Sequence, residues 1–367
     1  MYKVPRYTQQ ISVTSFFRAF FTKELEFPSD FMFFNSGRGA IKWLLSQKKQ
    51  LLKKKLRVGV PCYTCYTVFQ AVQESDNDVI LMDIDPLCFL FTGNLYNQLK
   101  DLDVIIWINY FGFRYQAVLK EIRTRFPELI ILEDCSQVDL RDYLRKPADE
   151  SCSDYVIFSF NFRKPITAGG GGLLIPGIMR KAEVAMDLFP DYSRLPYEKL
   201  NFKRIIHILI YNFSYNCLIF LLFNKLINKR RNLPFKPDEI PIKCLLMNRL
   251  LRKIFYIQFK EVRDKVRSEK FTFNYFANSS ELVNNNSFGS LSYYTVILNG
   301  DNKLIGNKID KFILWGNLAE SYKYFEISVS KDEFPLTFNF LSEAVFLPAK
   351  YFAEPNKGKI VFPACLT

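Results

Sequence analysis

The feature that most constrains this chain is the alternation of short apolar runs with helical patterns across its first half. Residues 57–61 (RVGVP), 79–83 (VILMD), 103–107 (DVIIW), 129–133 (LIILE) and 155–160 (YVIFSF) are built from aliphatic and aromatic residues and have the length of buried strands. A helix start at 67–73 and a helix at 116–125 lie between them. Parallel neighbours need long crossovers, usually helical, so this order implies a mostly parallel sheet. Functional residues then collect at the C-terminal ends of the strands. Asp134 follows LIILE directly and stands at such an end, either as a helix cap or as a functional carboxylate.

The expected fold class is therefore α/β: a large domain with a mostly parallel, mixed sheet sandwiched by helices, and a smaller C-terminal α+β domain. The composition divides the chain at residues 1–178, an apolar helical segment with basic flanks at 179–249, and residues 250–367. Within the last part, strand signals at 293–298 and 324–329 flank a helical pattern at 303–315.

Two stretches carry chemistry. Residues 154–175 read DYVIFSFNFRKPITAGGGGLLI, so Lys164 lies between a strand-like run and four glycines that allow the backbone to turn back. An amine shielded by apolar neighbours loses its proton at modest cost and can attack a carbonyl, which is what a Schiff-base lysine needs. The same stretch also reads as a solvated lysine beside a glycine turn. Residues 33–45, FFNSGRGAIKWLL, pass from an apolar run through Ser36, Gly37, Arg38 and Gly39 into helical spacing. A helix opened by small residues presents backbone amides to a phosphate, and Arg38 adds positive charge; an ordinary glycine-containing helix start reads the same way.

Charge and cysteine placement exclude several classes. The 367 residues carry a formal charge of +13, which favours anionic partners: nucleic acid, anionic lipid or phosphorylated small molecules. The basic residues are scattered, and no helix-turn-helix, RNP-type or paired zinc-finger spacing occurs, so nucleic-acid binding is not expected. The eight cysteines sit in apolar contexts without a secretory leader pattern at 1–23, which points to a reducing cytoplasm. Cys62 and Cys65 have the spacing of half a zinc site, but no second pair follows, and metal binding is not expected. His207, the single histidine, is flanked by isoleucines and reads as a packed residue, which argues against Ser-His-Asp or Cys-His chemistry.

Between Phe202 and Arg231 the chain is apolar and aromatic with basic ends, but His207, Asn212, Ser214 and Asn216 interrupt it. It reads as a helix pair packed on protein, or as an interfacial segment on anionic lipid at the inner face of the membrane. A basic amphipathic helix follows at 250–276, with Phe255, Phe259 and Val262 on one face.

Four of these stretches occur together in a recognisable order: SGRGA at 36–40, VPCYTCYTVFQAV at 60–72, EDCSQ at 133–137 and SFNFRKPITAGGGG at 159–172. In order and approximate spacing the chain resembles the DegT-type nucleotide-sugar aminotransferases, pyridoxal-phosphate enzymes of the aspartate-aminotransferase fold type. The resemblance covers residues 33–174 and returns weakly at 293–298 and 334–348. It implies that Lys164 bonds pyridoxal 5'-phosphate and carries protons, and that Asp134 holds the pyridine nitrogen. It further implies that Gln137 meets the 3-hydroxyl side and that Ser159, Gly37 and Arg38 anchor the phosphate. Cys65 stands where the family commonly stacks an aromatic ring on the cofactor, and Asn161 where it often has histidine. The GYNYR-like motif that supplies the neighbouring subunit's site is not recognisable, and residues 241–246 read PIKCLL.

The implied function is transfer of an amino group from an amino-acid donor to a nucleotide-linked keto-sugar, in surface polysaccharide biosynthesis, by a homodimer. The alternative is a non-catalytic relative acting as a membrane-surface or complex partner. A dehydratase on the same scaffold is disfavoured because the related dehydratases replace the lysine with histidine.

Overall fold

The computed structural model describes residues 11, 13–23, 27–83, 94–110, 114, 116–145, 152–162, 164–177, 188–200, 202–213, 241–261, 294–297, 327, 329–338 and 345–348. The alternation expected from the sequence forms a single seven-stranded sheet. Its strands are β1 (Met32–Phe34), β2 (Arg57–Pro61), β3 (Asp78–Met82), β4 (Val104–Ile108), β5 (Ile130–Asp134), β6 (Tyr155–Ser159) and β7 (Gly172–Pro176), in the order β1-β7-β6-β5-β4-β2-β3. Strand β7 is antiparallel to both neighbours, and the pairs from β6 to β3 are parallel. The crossovers carry α2 (Gly37–Leu52), α3 (Tyr66–Glu74), α4 (Asn94–Leu99), α5 (Gln116–Arg125) and α6 (Leu140–Arg145), while α1 (Val13–Phe21) precedes the sheet.

Side-chain alternation along β6 shows how the sheet is sandwiched. Tyr155 and Ile157 join one apolar core with Trp43 and Leu44 of α2 and Val68 and Phe69 of α3. Val156 and Phe158 face the other core, which takes Phe16 and Ala19 of α1. That second core also recruits chain from far beyond residue 178. Helix α7 (Phe189–Ser193) is followed by α8 (Phe202–Phe213) and α9 (Arg249–Glu261), and Ile208 of α8 and Leu251, Ile254 and Phe255 of α9 are buried there. The Phe255 ring lies 4.2 Å from that of Phe160 and 5.5 Å from that of Phe33. Burial of one such aromatic contributes about 1.5–3 kcal/mol, enough to hold a helix that its own sequence assigns to no particular domain.

Helix α9 was expected to open the small domain and instead packs on the large sheet, because an amphipathic pattern states that a face is buried but not against what. His207 is likewise exposed on α8, its ring 4.8 Å from that of Phe162, so the expected packed histidine is a surface one. Of the segment between Phe202 and Arg231, residues 214–231 lie outside the described residues, as do 262–276 of the predicted amphipathic helix and the predicted helix at 303–315. Near the C-terminus, β8 (Tyr294–Ile297) pairs antiparallel with β9 (Val345–Pro348); the first falls on the strand signal at 293–298 and the second within 334–348, where the resemblance returns. Of the strand expected at 324–329, residues 327 and 329 are described and neither is in a strand; the others lie outside the described residues.

Candidate active site

A cavity of about 490 Å³ opens at the C-terminal ends of β2, β4, β5 and β6, within the range of small-molecule sites. All seven residues singled out from the sequence line it: Gly37, Arg38, Cys65, Asp134, Gln137, Ser159 and Lys164.

The N-terminus of α2 forms one wall. Ser36 caps it from extended backbone, φ −164° and ψ 158°, and its Oγ accepts the Gly39 amide at 3.1 Å. Gly37 and Arg38 thus open a 16-residue helix at the cavity, where the dipole and first-turn amides favour an anion. Glycine at 39 avoids crowding, because a Cβ there would lie 2.7 Å from Asn35 Oδ1 and 3.2 Å from the Lys243 carbonyl oxygen.

Asp134 ends β5, is 6% exposed, and accepts the Ser136 amide on Oδ1 at 2.8 Å. Its predecessor Glu133 points to the opposite side, as strand alternation requires. There, fully buried, Glu133 Oε1 accepts from Asn109 Nδ2 at 2.7 Å, Arg114 Nε at 3.2 Å and Gln116 Nε2 at 3.3 Å, and Oε2 accepts from Ser153 Oγ at 2.5 Å. The EDCSQ stretch was legible as a site, but Glu133 as the centre of a buried polar cluster was not.

Lys164 is half-buried on the cavity wall. Desolvation lowers its pKa from the ordinary lysine value, opposed by the negative charge of Asp134 and by Cys65. Its loop is closed at both ends by backbone bonds: Ala168 N to Phe160 O at 2.8 Å, Phe160 N to Gly171 O at 2.9 Å and Gly171 N to Asn35 O at 3.0 Å. Gly169, Gly170 and Gly171 turn at φ +76°, +155° and +104°, which side-chain-bearing residues rarely adopt. Helix α8 braces the same loop. Arg204 Nε donates to the Gly169 carbonyl at 3.1 Å, and Arg204 pairs with Glu198.

Further lining residues were missed in the sequence. Asn35 Oδ1 and Thr64 Oγ1 are buried at the cavity without a hydrogen-bond partner among the described residues, and only their places beside SGRGA and between two cysteines hinted at them. Residues 241–245 cross from the second half of the chain. Lys42 Nζ donates to Glu74 Oε2 at 2.9 Å and to the Ile242 carbonyl at 2.8 Å, and the Ile242 amide donates to Glu74 Oε2 at 2.8 Å. The Asn35 amide donates to the Leu245 carbonyl at 2.8 Å. Among the described residues, no group of three or more His, Cys, Asp and Glu could hold a metal ion.

The donor set fits pyridoxal phosphate: an amine of lowered pKa for the aldehyde, a carboxylate for the ring nitrogen, and a helix N-terminus for the phosphate, with two unpartnered polar atoms beside them. Fold and site together define the class of pyridoxal-phosphate-dependent aminotransferases. Residues 30–184 match the model of the DegT/DnrJ/EryC1/StrS aminotransferase family. No curated protein matches the chain by sequence.

Solved structures share its fold at low identity. A Streptococcus pneumoniae protein described as a sugar aminotransferase, in its PMP form, is 13% identical with a TM-score of 0.62, covering 95% of this chain and 92% of its own. PseC of Helicobacter pylori, an aminotransferase involved in the biosynthesis of pseudoaminic acid, is 13% identical with a TM-score of 0.59 over 96% and 94%. AtS13 of Actinomadura melliaura is 16% identical with a TM-score of 0.60 over 95% and 94%.

Proposed function

We propose that the chain transfers the amino group of an amino acid such as glutamate to a nucleotide-linked keto-sugar, in the making of a surface polysaccharide. The observation that carries this reading is the meeting of Lys164, Asp134 and the α2 N-terminus in one cavity. The descriptions of two neighbouring structures, a sugar aminotransferase and an aminotransferase involved in the biosynthesis of pseudoaminic acid, support its sugar part. Pyridoxal phosphate, when bound, supplies an electron sink conjugated to the carbon that gains or loses nitrogen. Lys164 Nζ would bond the cofactor and, when released, would move the proton at that carbon, a task suited to an amine that burial has made a weaker base. Asp134 would hold the ring nitrogen and keep it protonated. Gln137 would meet the 3-hydroxyl side, and Cys65 would stand beside the ring. Ser159, Gly37 and Arg38 would hold the phosphate by hydroxyl, amide and guanidinium.

Protein incubated with pyridoxal phosphate and reduced with borohydride should carry the cofactor on the peptide containing Lys164. Lys164→Ala should carry none, and glutamate added before reduction should prevent capture. Protein that stays colourless and unlabelled would sink this reading in favour of a non-catalytic relative. The proposal extends to a cytoplasmic homodimer, which sedimentation velocity reads directly, with membrane contact through α8. That helix exposes Phe202, Lys203 and Ile206, and no helix among the described residues is long and apolar enough to cross a membrane.

A further inference from the structure

The segment 241–245 reaches the cavity from a position 200 residues removed from the helix it contacts, and it is fixed at Ile242 and at Leu245. Ile242 is 5% exposed and bound through both its amide and its carbonyl to the Lys42–Glu74 pair. After it, the Leu245 carbonyl is bound by the Asn35 amide. Between these anchors lie Lys243 and Cys244, and of the two Lys243 lines the cavity yet is exposed, and so stands at its rim.

The other cavity-lining cations have occupations. Arg204 is paired with Glu198 and bound to the Gly169 carbonyl. Lys164 feels the charge of Asp134, and Arg38 sits in the first turn of α2 where the cofactor's phosphate is assigned. Lys243 forms no ion pair with a carboxylate among the described residues. An ammonium held on a fixed backbone at the mouth of a cavity is a point-charge site for an anion that projects outward from the reacting centre. A sugar seated over the cofactor projects such an anion, because its nucleotide arm must leave through the rim.

We propose that Lys243 is a specificity-determining residue that binds the diphosphate of a nucleotide-linked substrate. This rests on the sugar-aminotransferase reading above and adds the group that recognises the nucleotide arm. The amino donor's carboxylate and the cofactor's phosphate are the other anions within the same chemistry, and they are separated by experiment.

Cofactor-loaded wild type, Lys243→Gln and Lys243→Arg are titrated with UDP, dTDP, GDP and CDP, with the corresponding nucleosides, and with glutamate. At least one diphosphate should bind wild type more tightly than its nucleoside. Lys243→Gln should weaken that diphosphate about tenfold or more, the loss of one charge-assisted hydrogen bond, without changing nucleoside binding, cofactor capture on Lys164 or glutamate binding. Lys243→Arg should restore most of the affinity. No preference for diphosphate over nucleoside in wild type, or no loss in Lys243→Gln, overturns the assignment. A loss confined to glutamate or to cofactor capture also overturns it, by giving Lys243 to a different anion. Absence of cofactor capture on Lys164 in wild type would instead refute the aminotransferase reading, so the two failures are distinguishable.

Discussion

Replacement of Gly172 by alanine would test the link between the lysine loop and the anion-binding helix. Gly172 opens β7, paired with Phe34 on one side and Ser159 on the other. A Cβ added to it would lie 2.5 Å from the Gly37 nitrogen, 2.6 Å from the Ser36 carbonyl carbon and 2.7 Å from the Gly37 Cα. All three are backbone atoms, so no side chain can rotate away to relieve the contact. Ordinary carbon contacts need about 3.5–4.0 Å, so β7 and the first turn of α2 must part by about 1 Å. Overpacking of this kind costs about 1–3 kcal/mol, a fall of several degrees in Tm. The displaced atoms belong to the phosphate cradle, and a shift of about 1 Å there can cost about a hundredfold in turnover.

Gly177→Ala provides the control. Its Cβ would collide with the Ser153 carbonyl, also backbone, but at the far end of β7 from the cavity. Thermal unfolding without cofactor and titration with pyridoxal phosphate should therefore diverge. Both variants lose stability, and only Gly172→Ala loses cofactor affinity, by about tenfold or more. A Gly172→Ala protein that captures the cofactor as wild type does would refute the proposed cradle.

The Lys42–Glu74 clamp predicts a pH dependence. Burial alone would raise the Glu74 pKa, but hydrogen bonds from Lys42, the Ile242 amide and Gln70 leave it lowered. Its stabilising contribution is then present above the unfolded carboxylate pKa and is lost as pH falls through the lower folded value. Glu74→Gln should cost about 1 kcal/mol at neutral pH, and its deficit relative to wild type should shrink below about pH 4.3; a deficit that grew with acid would contradict the clamp. For α8, flotation with phosphatidylglycerol vesicles should carry the protein upward, and Phe202→Ser with Lys203→Ser should reduce this; no flotation by wild type would remove the membrane proposal.

Much of this site was legible because its parts are local. A strand such as LIILE is bounded by changes of residue type within one or two positions, so the structure's β5 departs little from the expected run. The capped start of α2 and the glycine turn after Lys164 depend on residues adjacent in sequence. What was not legible depends on distance. Nothing in PIKCLL says that it crosses the cavity, because its anchors, Lys42, Glu74 and Asn35, lie in the first quarter of the chain. Helix α9 displayed an apolar face, but its partners Phe33 and Phe160 come from the first half. Arg204 belongs to a basic end read as a flank of an apolar run, and nothing local tied it to the lysine loop that it binds.

The two adjacent acids at the end of β5 have a consequence for how the chain tolerates insertions. Side chains alternate along a strand, so a slip of one residue would turn Glu133 into the cavity and Asp134 toward Arg114. Both are carboxylates, and apolar packing alone discriminates weakly between the two arrangements in a strand buried on both faces. The donors from Asn109, Arg114, Gln116 and Ser153 converge on Glu133 and break the tie. The polar cluster on the far face therefore acts as an index pin: it never touches a substrate, yet it determines which carboxylate the cofactor would meet.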